Sequence, residues 1–132
     1  MIFKNDKYIL NAKEKKLLKC LIAKGTPVHY RPNLWLLCSR AKQDIACNPL
    51  YYDNLLKLSK EVPTSYENQI DKDIKRTSAK SLNENPELKT KMKNVLMCYS
   101  IRNSSIGYCQ GFNFLVLRLL EVLNGGEVII NF

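Results

Sequence analysis

Glycine and proline are scarce in this chain, which has five of each among 132 residues, while 45% of its residues are hydrophobic. Disordered and low-complexity proteins have the opposite composition, being rich in polar residues, glycine or proline. The composition therefore favours a folded globular chain over a disordered one. The length is enough for one domain and too short for two.

Metal-ligating side chains are also few. His29 is the only histidine, and the five cysteines include no Cys-x-x-Cys pair. A structural zinc site needs a clustered set of such ligands, so we expect no metal site. Cysteines among apolar neighbours behave as small core residues, and free thiols fit a reducing compartment. The cysteines therefore favour a cytosolic or nuclear compartment, and of the two we expect a cytoplasmic protein.

The sequence has neither the pattern of a signal peptide nor that of a transmembrane helix. Residues 1–7 carry charges where a signal peptide has its apolar stretch. The most apolar segment, Phe112 to Leu123, contains Arg118 and Glu121 and is too short to cross a bilayer. We expect a soluble protein without a transmembrane segment.

Basic residues outnumber acidic ones by 21 to 12, which gives a formal net charge of +9. Such an excess attracts nucleic acid, anionic lipid or an acidic protein surface without selecting among them. The lysines are spread along the chain, with a modest cluster from Lys13 to Lys19. No basic run is interleaved with aromatic residues as in single-strand binders, so a solvated basic face is favoured over a nucleic-acid footprint.

Hydrophobic residues recur at helical spacing, and no stretch alternates with the period of two that is typical of strands. The fold predicted is all-α. Helix starts are predicted at Asn11, Pro32, Asn48–Pro49 and Asn85–Pro86, with the second helix extending to Ala41 and a short helix around Ile70 and Ile74.

The last predicted helix, Cys109 to Leu123, is apolar almost all round and is followed by Gly125 and Gly126, which end it. A helix of this kind belongs in a core and needs neighbours on every side. The preceding helices are few for that task. We therefore expect either that a partner covers this helix or that the chain is a fragment.

One candidate site residue is Arg76, which follows Asp73 by three positions. On a helix these side chains share a face, so the carboxylate could hold the guanidinium in one orientation. The alternative is an ordinary surface ion pair. From spacing alone the surface pair is favoured, because such pairs are common on helices.

A second candidate is Gln110, which lies between Gly107 and Asn113 near the first turn of an apolar helix and is followed by Gly111. Gly111 has no Cβ, so a backbone or a ligand can approach it closely. An amide in this position needs partners or faces a cleft. Spacing alone does not separate such a site from a polar helix start with a capping amide.

Three segments in a fixed order resemble the signature motifs of the TBC family. They are an arginine–tryptophan motif at Arg31 and Trp35, the pattern Ile70-x-x-Asp73-x-x-Arg76 followed by Thr77, and the pattern Tyr108-x-Gln110-Gly111 followed by Asn113. The resemblance runs from about Lys7 to the end of the chain and breaks off where the next helix of the domain would begin. It implies that residues 1–132 form the N-terminal portion of an all-α, multi-helix Rab-GAP domain whose C-terminal half is absent.

The resemblance also implies a function. TBC domains are not enzymes themselves but activate Rab-family GTPases in vesicle trafficking by supplying catalytic residues in trans. Arg76 would be the arginine finger and Gln110 the glutamine finger. The remaining motif residues divide into those that support the fingers, Asp73, Tyr108, Gly111 and Asn113, and those with a structural role, Arg31, Trp35, Ile70 and Thr77.

The resemblance implies further that GTP and Mg²⁺ are bound by the partner, so that this chain needs no cofactor, and that association with endomembranes is peripheral and runs through the partner. Phe112 departs from the family pattern, in which methionine is frequent. Two other functions stay open: a truncated or catalytically silent TBC-like binding module, and, ranked last on net charge alone, a basic nucleic-acid binder.

Overall fold

The structure, a computed structural model, describes residues 10–62, 64–77 and 84–123. These residues form seven α-helices and one 3₁₀ turn and contain no β-strand, so the all-α prediction is confirmed. The elements are α1 (Ala12–Ala23), the 3₁₀ turn (Val28–Tyr30), α2 (Arg31–Ser39), α3 (Ala41–Cys47), α4 (Tyr51–Glu61), α5 (Glu67–Arg76), α6 (Pro86–Arg102) and α7 (Phe112–Leu123). None of the described helices is long and apolar enough to cross a membrane.

The chain divides into two compact units, Met1–Ser39 and Arg40–Phe132. In the first unit α2 packs against the 3₁₀ turn that precedes it. In the second unit α6 is the central helix and packs against α4, α5 and α7.

Asparagine caps start two of the helices where the sequence predicts them. The Asn11 side chain accepts a hydrogen bond from the Glu14 N–H, and the Glu14 carboxylate accepts one from the Asn11 N–H, both at 2.9 Å. Asn85 caps α6 by accepting from the Leu88 N–H at 3.3 Å, with Pro86 in the first turn. These side chains satisfy amide groups that have no partner within the helix.

Two predicted helix boundaries are wrong. The second helix ends at Ser39 instead of reaching Ala41, because Arg40 adopts a left-handed conformation with a φ of 63° and α3 begins after it. Asn48 does not cap the following helix. It ends α3, where its N–H donates to the Asp44 carbonyl at 3.0 Å, and α4 begins only at Tyr51.

The core of the second unit is built around the buried face of α6. Side chains of α4, α5 and α7 converge on it, and aromatic residues pack at its edge. Burying one such aliphatic side chain stabilises the fold by ~1.5–3 kcal/mol. The buried residues are Leu55, Ile70, Ile74, Met92, Val95, Leu96, Met97, Cys98, Tyr108, Val116, Leu117 and Leu120.

The last helix begins at Phe112 rather than Cys109 and is not buried on all sides. Val116, Leu117 and Leu120 lie in the core, whereas Phe114 and Leu115 are 61% and 62% exposed. The sequence predicts too few neighbours to cover this helix, and the described residues leave part of its surface uncovered. The predicted end at Gly125–Gly126 lies outside them.

An ion-pair cluster joins α5 to α6. The Lys93 Nζ lies 2.9 Å from both the Glu67 Oε1 and the Asp71 Oδ2. Hydrogen bonds to Glu67 and Asp71 raise the pKa of Lys93. All three side chains are partly exposed, so water weakens these pairs to the modest contribution of surface salt bridges, ~0.2–1 kcal/mol.

Cys98 differs from the other cysteines in reactivity. It is buried in the core, and burial raises the pKa of its thiol to about 11. The thiolate is the reactive species, so at pH 8 we expect a disulfide reagent to modify the exposed Cys20, Cys38, Cys47 and Cys109 rapidly and Cys98 slowly. Stopped-flow thiol counting checks this, with Cys98→Ala as the control that abolishes the slow phase. Equal rates for all five thiols would contradict the burial.

Candidate functional site

Arg76 is the last residue of α5, a helix that faces the core with one side only. Ile70, Asp73 and Ile74 occupy the buried side at offsets of three and four, and Arg76 is exposed. A cation at the C-terminal end of a helix also meets the negative end of the helix dipole. The core therefore holds the backbone of α5 in place, while the guanidinium of Arg76 extends into solvent.

Gln110 lies in a tight turn just before α7. The Phe112 N–H donates to the Cys109 carbonyl at 3.1 Å, which places Gln110 and Gly111 at the two central positions. Gly111 has a φ of 102°, which the third position of a type II turn requires and which glycine adopts without strain. Gln110 is exposed at this corner.

Tyr108 holds the turn against α5. Its hydroxyl donates to the Asp73 Oδ2 at 2.9 Å, between residues 35 positions apart in the chain. Both side chains are buried, Tyr108 to 5% and Asp73 to 6% exposure. Burial, and then the bond to the Asp73 carboxylate, raise the pKa of Tyr108 well above its ordinary value, so the phenol stays protonated and donating.

A second link joins Asn113 to Thr77. The Asn113 Nδ2 donates to the Thr77 Oγ1 at 2.7 Å, and the Thr77 hydroxyl donates to the Asp73 carbonyl at 2.7 Å. The Asn113 Oδ1 accepts from the Gly111 N–H at 3.2 Å. One continuous chain of hydrogen bonds therefore runs from the residue after Gln110 to the residue after Arg76.

Asp73 orients the site in a way that helical spacing does not predict. Its carboxylate accepts from Tyr108, and within residues 10–62, 64–77 and 84–123 no hydrogen bond or ion pair joins it to Arg76. Asp73 is buried in the core whereas the Arg76 side chain is exposed to solvent. Asp73 therefore ties α5 to Tyr108 and does not pair directly with Arg76.

Aromatic packing supports the same turn. The ring of Phe112 meets the rings of Tyr99 and Tyr108 edge to face, with centroids 5.5 Å and 6.2 Å apart. Such pairs contribute ~0.5–1.5 kcal/mol beyond burial of their area. Phe112 therefore ties the turn to α6.

Arg31 and Trp35 lie in the first unit. The Arg31 Nε donates to the Thr26 carbonyl at 3.1 Å, which braces the segment around the 3₁₀ turn, and Trp35 is half-buried in α2. Ile70 is fully buried in the second unit. Arg31 thus braces a segment of the first unit, and Ile70 packs in the core of the second.

We expect Thr77→Val to destabilise the fold by about 1–3 kcal/mol, because it leaves the Asn113 amide and the Asp73 carbonyl without their buried partner. Chemical denaturation monitored by circular dichroism measures the change. Thr90→Val, at an exposed position of α6, makes the same substitution where no such bond exists and should change stability much less. Equal effects of the two substitutions would show that the network contributes nothing.

Sequence reasoning missed two features of this site. It gave Thr77 only a place in the motif, although this hydroxyl is the junction between the two candidate segments. It also missed Tyr66, whose ring closes against Gly107. A threonine hydroxyl at a helix end often donates to the carbonyl four residues earlier, and this local pattern could have indicated the role of Thr77. The contact between Tyr66 and Gly107 is non-local, so no sequence signal could have indicated it.

The sequence of this chain is similar to those of known proteins. The model of the Rab-GTPase-TBC domain matches residues 28–129. The chain is 35% identical over 114 residues to growth hormone-regulated TBC protein 1-A of Danio rerio, an alignment that covers 83% of this chain and 32% of that protein. It is 31% identical over 116 residues to human growth hormone-regulated TBC protein 1, covering 85% of this chain and 34% of the relative.

A solved structure has the same fold. The crystal structure of the Chlamydomonas flagellar RabGAP TBC domain superposes with a TM-score of 0.80 at 29% identity, and the match covers 92% of this chain and 42% of that one. The chain thus spans about a third of the length of these curated relatives and less than half of the solved domain.

Proposed function

This chain belongs to the Rab-GTPase-TBC domain family, and on that premise we propose that it stimulates GTP hydrolysis by a Rab-type GTPase. Arg76 and Gln110 enter the partner's nucleotide site, and the chain itself is a regulator rather than an enzyme. GTP and Mg²⁺ belong to the partner.

The chemistry asks for one cation and one amide. GTP hydrolysis passes through a loose transition state with charge spread over phosphoryl oxygens, so positioning and electrostatic stabilisation carry the catalysis. The guanidinium of Arg76 stays protonated and offers a planar fork of donors to those oxygens. The amide of Gln110 is both donor and acceptor, so it can orient the attacking water without taking its proton.

The observation that carries the proposal is the hydrogen-bond chain from the partly buried Gly111 through the buried Asn113 and Thr77 to Asp73. It ties together the backbone next to both exposed fingers, and Tyr108 adds a second tie. Groups held in advance lose less conformational entropy when they enter a partner's site, which favours catalysis.

The proposed setting follows from the partner. A Rab-type GTPase works in the cytoplasm at endomembranes, so this chain would act there and be brought to the membrane by the protein that it activates. The basic surface could steer association with an acidic partner face.

A single-turnover assay tests the proposal: GTP-loaded Rab proteins are mixed with excess chain and phosphate release is followed. We expect at least one Rab to be accelerated, and Gln110→Ala to reduce that acceleration by roughly 10²-fold, as for the loss of one oriented donor in other active sites. Gln69→Ala, an exposed glutamine on α5, is the matched control and should retain full acceleration. Full activity of Gln110→Ala on a responsive Rab would contradict the assignment.

A second candidate is a binding module that engages a GTPase without accelerating hydrolysis. It is favoured by the exposed apolar pair Phe114 and Leu115 on α7, which continues directly from the Gln110 turn and suits protein contact. Binding of GTP-loaded Rab by the chain, measured by calorimetry, together with unchanged phosphate release across the panel would select this function. Acceleration selects the activator.

A further inference from the structure

The first helix, α1, has an amphipathic surface that the proposed GTPase chemistry does not use. Residues four apart in an α-helix lie in one row along its surface. Two adjacent rows are apolar after their first residue: Leu17 and Leu21 follow Lys13 in one row, and Leu18 and Ile22 follow Glu14 in the other. The rows on either side carry lysine, with Lys16 on one side and Lys15 and Lys19 on the other.

The apolar rows face solvent. No residue of α1 is buried, and Leu17 and Leu21 are 54% and 46% exposed. Single exposed leucines are ordinary on protein surfaces, but adjacent rows on one helix mark a contact surface. The helix is also well defined at its start by the reciprocal cap between Asn11 and Glu14.

The lysines of α1 are available to an external anion. Within residues 10–62, 64–77 and 84–123 no ion pair joins Lys13, Lys15, Lys16 or Lys19 to an acidic side chain. The one carboxylate of the helix, on Glu14, accepts from the Asn11 N–H. The helix therefore presents four cations against one carboxylate that is already bound.

We propose that α1 is a docking surface for an anionic phospholipid bilayer. Its apolar rows enter the boundary between headgroups and acyl chains, and the flanking lysines extend their stems over that boundary so that the ammonium groups reach lipid phosphates. The lysines of this short helix match the negative charge of the lipid headgroups, and its leucines match the apolar boundary beneath them. A soluble polyanion would use only the lysines, and a purely apolar protein groove would use only the leucines.

The binding is weak and reversible, since the helix has 12 residues and is about 18 Å long. Lipid contact of this kind acts independently of the GTPase fingers and adds to any attachment through a membrane-bound partner. The proposal does not depend on the proposed function, because its test contains no GTPase.

Co-sedimentation of the whole chain with vesicles tests the proposal. We expect binding to vesicles that contain phosphatidylserine and none to pure phosphatidylcholine. Lys15→Gln with Lys19→Gln should lower the partition coefficient by roughly 25-fold, since one lysine near an anionic surface contributes a factor of about five. Lys57→Gln with Lys60→Gln on α4 makes the same charge change elsewhere and should leave binding unchanged.

Leu17→Ala with Leu21→Ala separates lipid from other polyanions. This pair keeps the charge and the helix propensity, and we expect it to reduce vesicle binding severalfold. Unchanged vesicle binding in the leucine variant would overturn the proposal in favour of simple polyanion attraction. No binding by the parent chain, or equal losses for the two lysine pairs, would also overturn it. Circular dichroism melts check that each variant is folded like the parent.

Discussion

Arg76→Ala is expected to abolish stimulation of GTP hydrolysis almost completely, with a loss of ~10³–10⁵-fold in a responsive Rab. That range corresponds to roughly 4–7 kcal/mol of transition-state stabilisation. Alanine removes the only group in the proposed pair that carries charge, and water cannot supply a fixed cation in its place. Phosphate release under single-turnover conditions measures the loss.

The fold should survive this change, because Arg76 is exposed and the core contacts of α5 come from Ile70 and Ile74. Lys75→Ala is the matched control, since it removes an exposed cation next to Arg76 on the same helix end. We expect the control to retain most of the acceleration. If both variants lost it equally, the effect would come from the general charge of the helix end and Arg76 would not be a finger.

Arg76→Lys separates charge from geometry. Lysine keeps a positive charge but offers one ammonium instead of a planar fork, and its pairing with phosphoryl oxygens is correspondingly less directed. We expect it to recover only a small part of the lost acceleration. Full recovery would mean that the position needs charge alone.

Gly107→Ala is expected to destabilise the second unit by about 2–5 kcal/mol, since a left-handed alanine costs ~1–2 kcal/mol and overpacking ~1–3 kcal/mol. Gly107 has a φ of 66°, and a Cβ at this position would overlap the phenol ring of Tyr66. The ring is part of the packing at the edge of the core, so it cannot move aside freely. Urea denaturation measures the loss.

Gly111→Ala is the control for the backbone alone. Gly111 has a φ of 102°, but a Cβ there would meet nothing within 4 Å. It should therefore show the conformational cost without the overlap. Tyr66→Leu in the Gly107→Ala background should restore part of the stability by making room. Equal losses at the two glycines would contradict the role assigned to Tyr66.

Local signals account for the parts of the fold that sequence predicts well. Asn11 and Asn85 act on amides within three residues of themselves, so their effect can be read from neighbours in the sequence. Arg40 gives no comparable signal, because arginine has no preference for the left-handed conformation that separates α2 from α3. Asn48 and Pro49 are compatible with either end of a helix, and the structure uses Asn48 to end one.

The candidate site shows the same division. Helical spacing puts Asp73 near Arg76 and suggests a pair, but the choice is made by burial, which turns Asp73 toward the phenol of Tyr108. Tyr108 lies in the segment that connects α6 to α7, and its distance from Asp73 depends on how α5, α6 and α7 pack. The exposed faces of Phe114 and Leu115 likewise depend on which neighbours α7 has, and composition alone cannot supply that.

Each hydrogen bond along the chain from Gly111 to Asp73 has a fixed donor and a fixed acceptor. Because the Thr77 proton is committed to a carbonyl, its oxygen can only accept, and the facing group of Asn113 must be the nitrogen. Asn113→Asp would keep nearly the same shape, but it would place a carboxylate oxygen, which can only accept, against the accepting Thr77 hydroxyl oxygen. The replacement that looks most conservative in size is thus among the least compatible, and a selection for active variants should discard it.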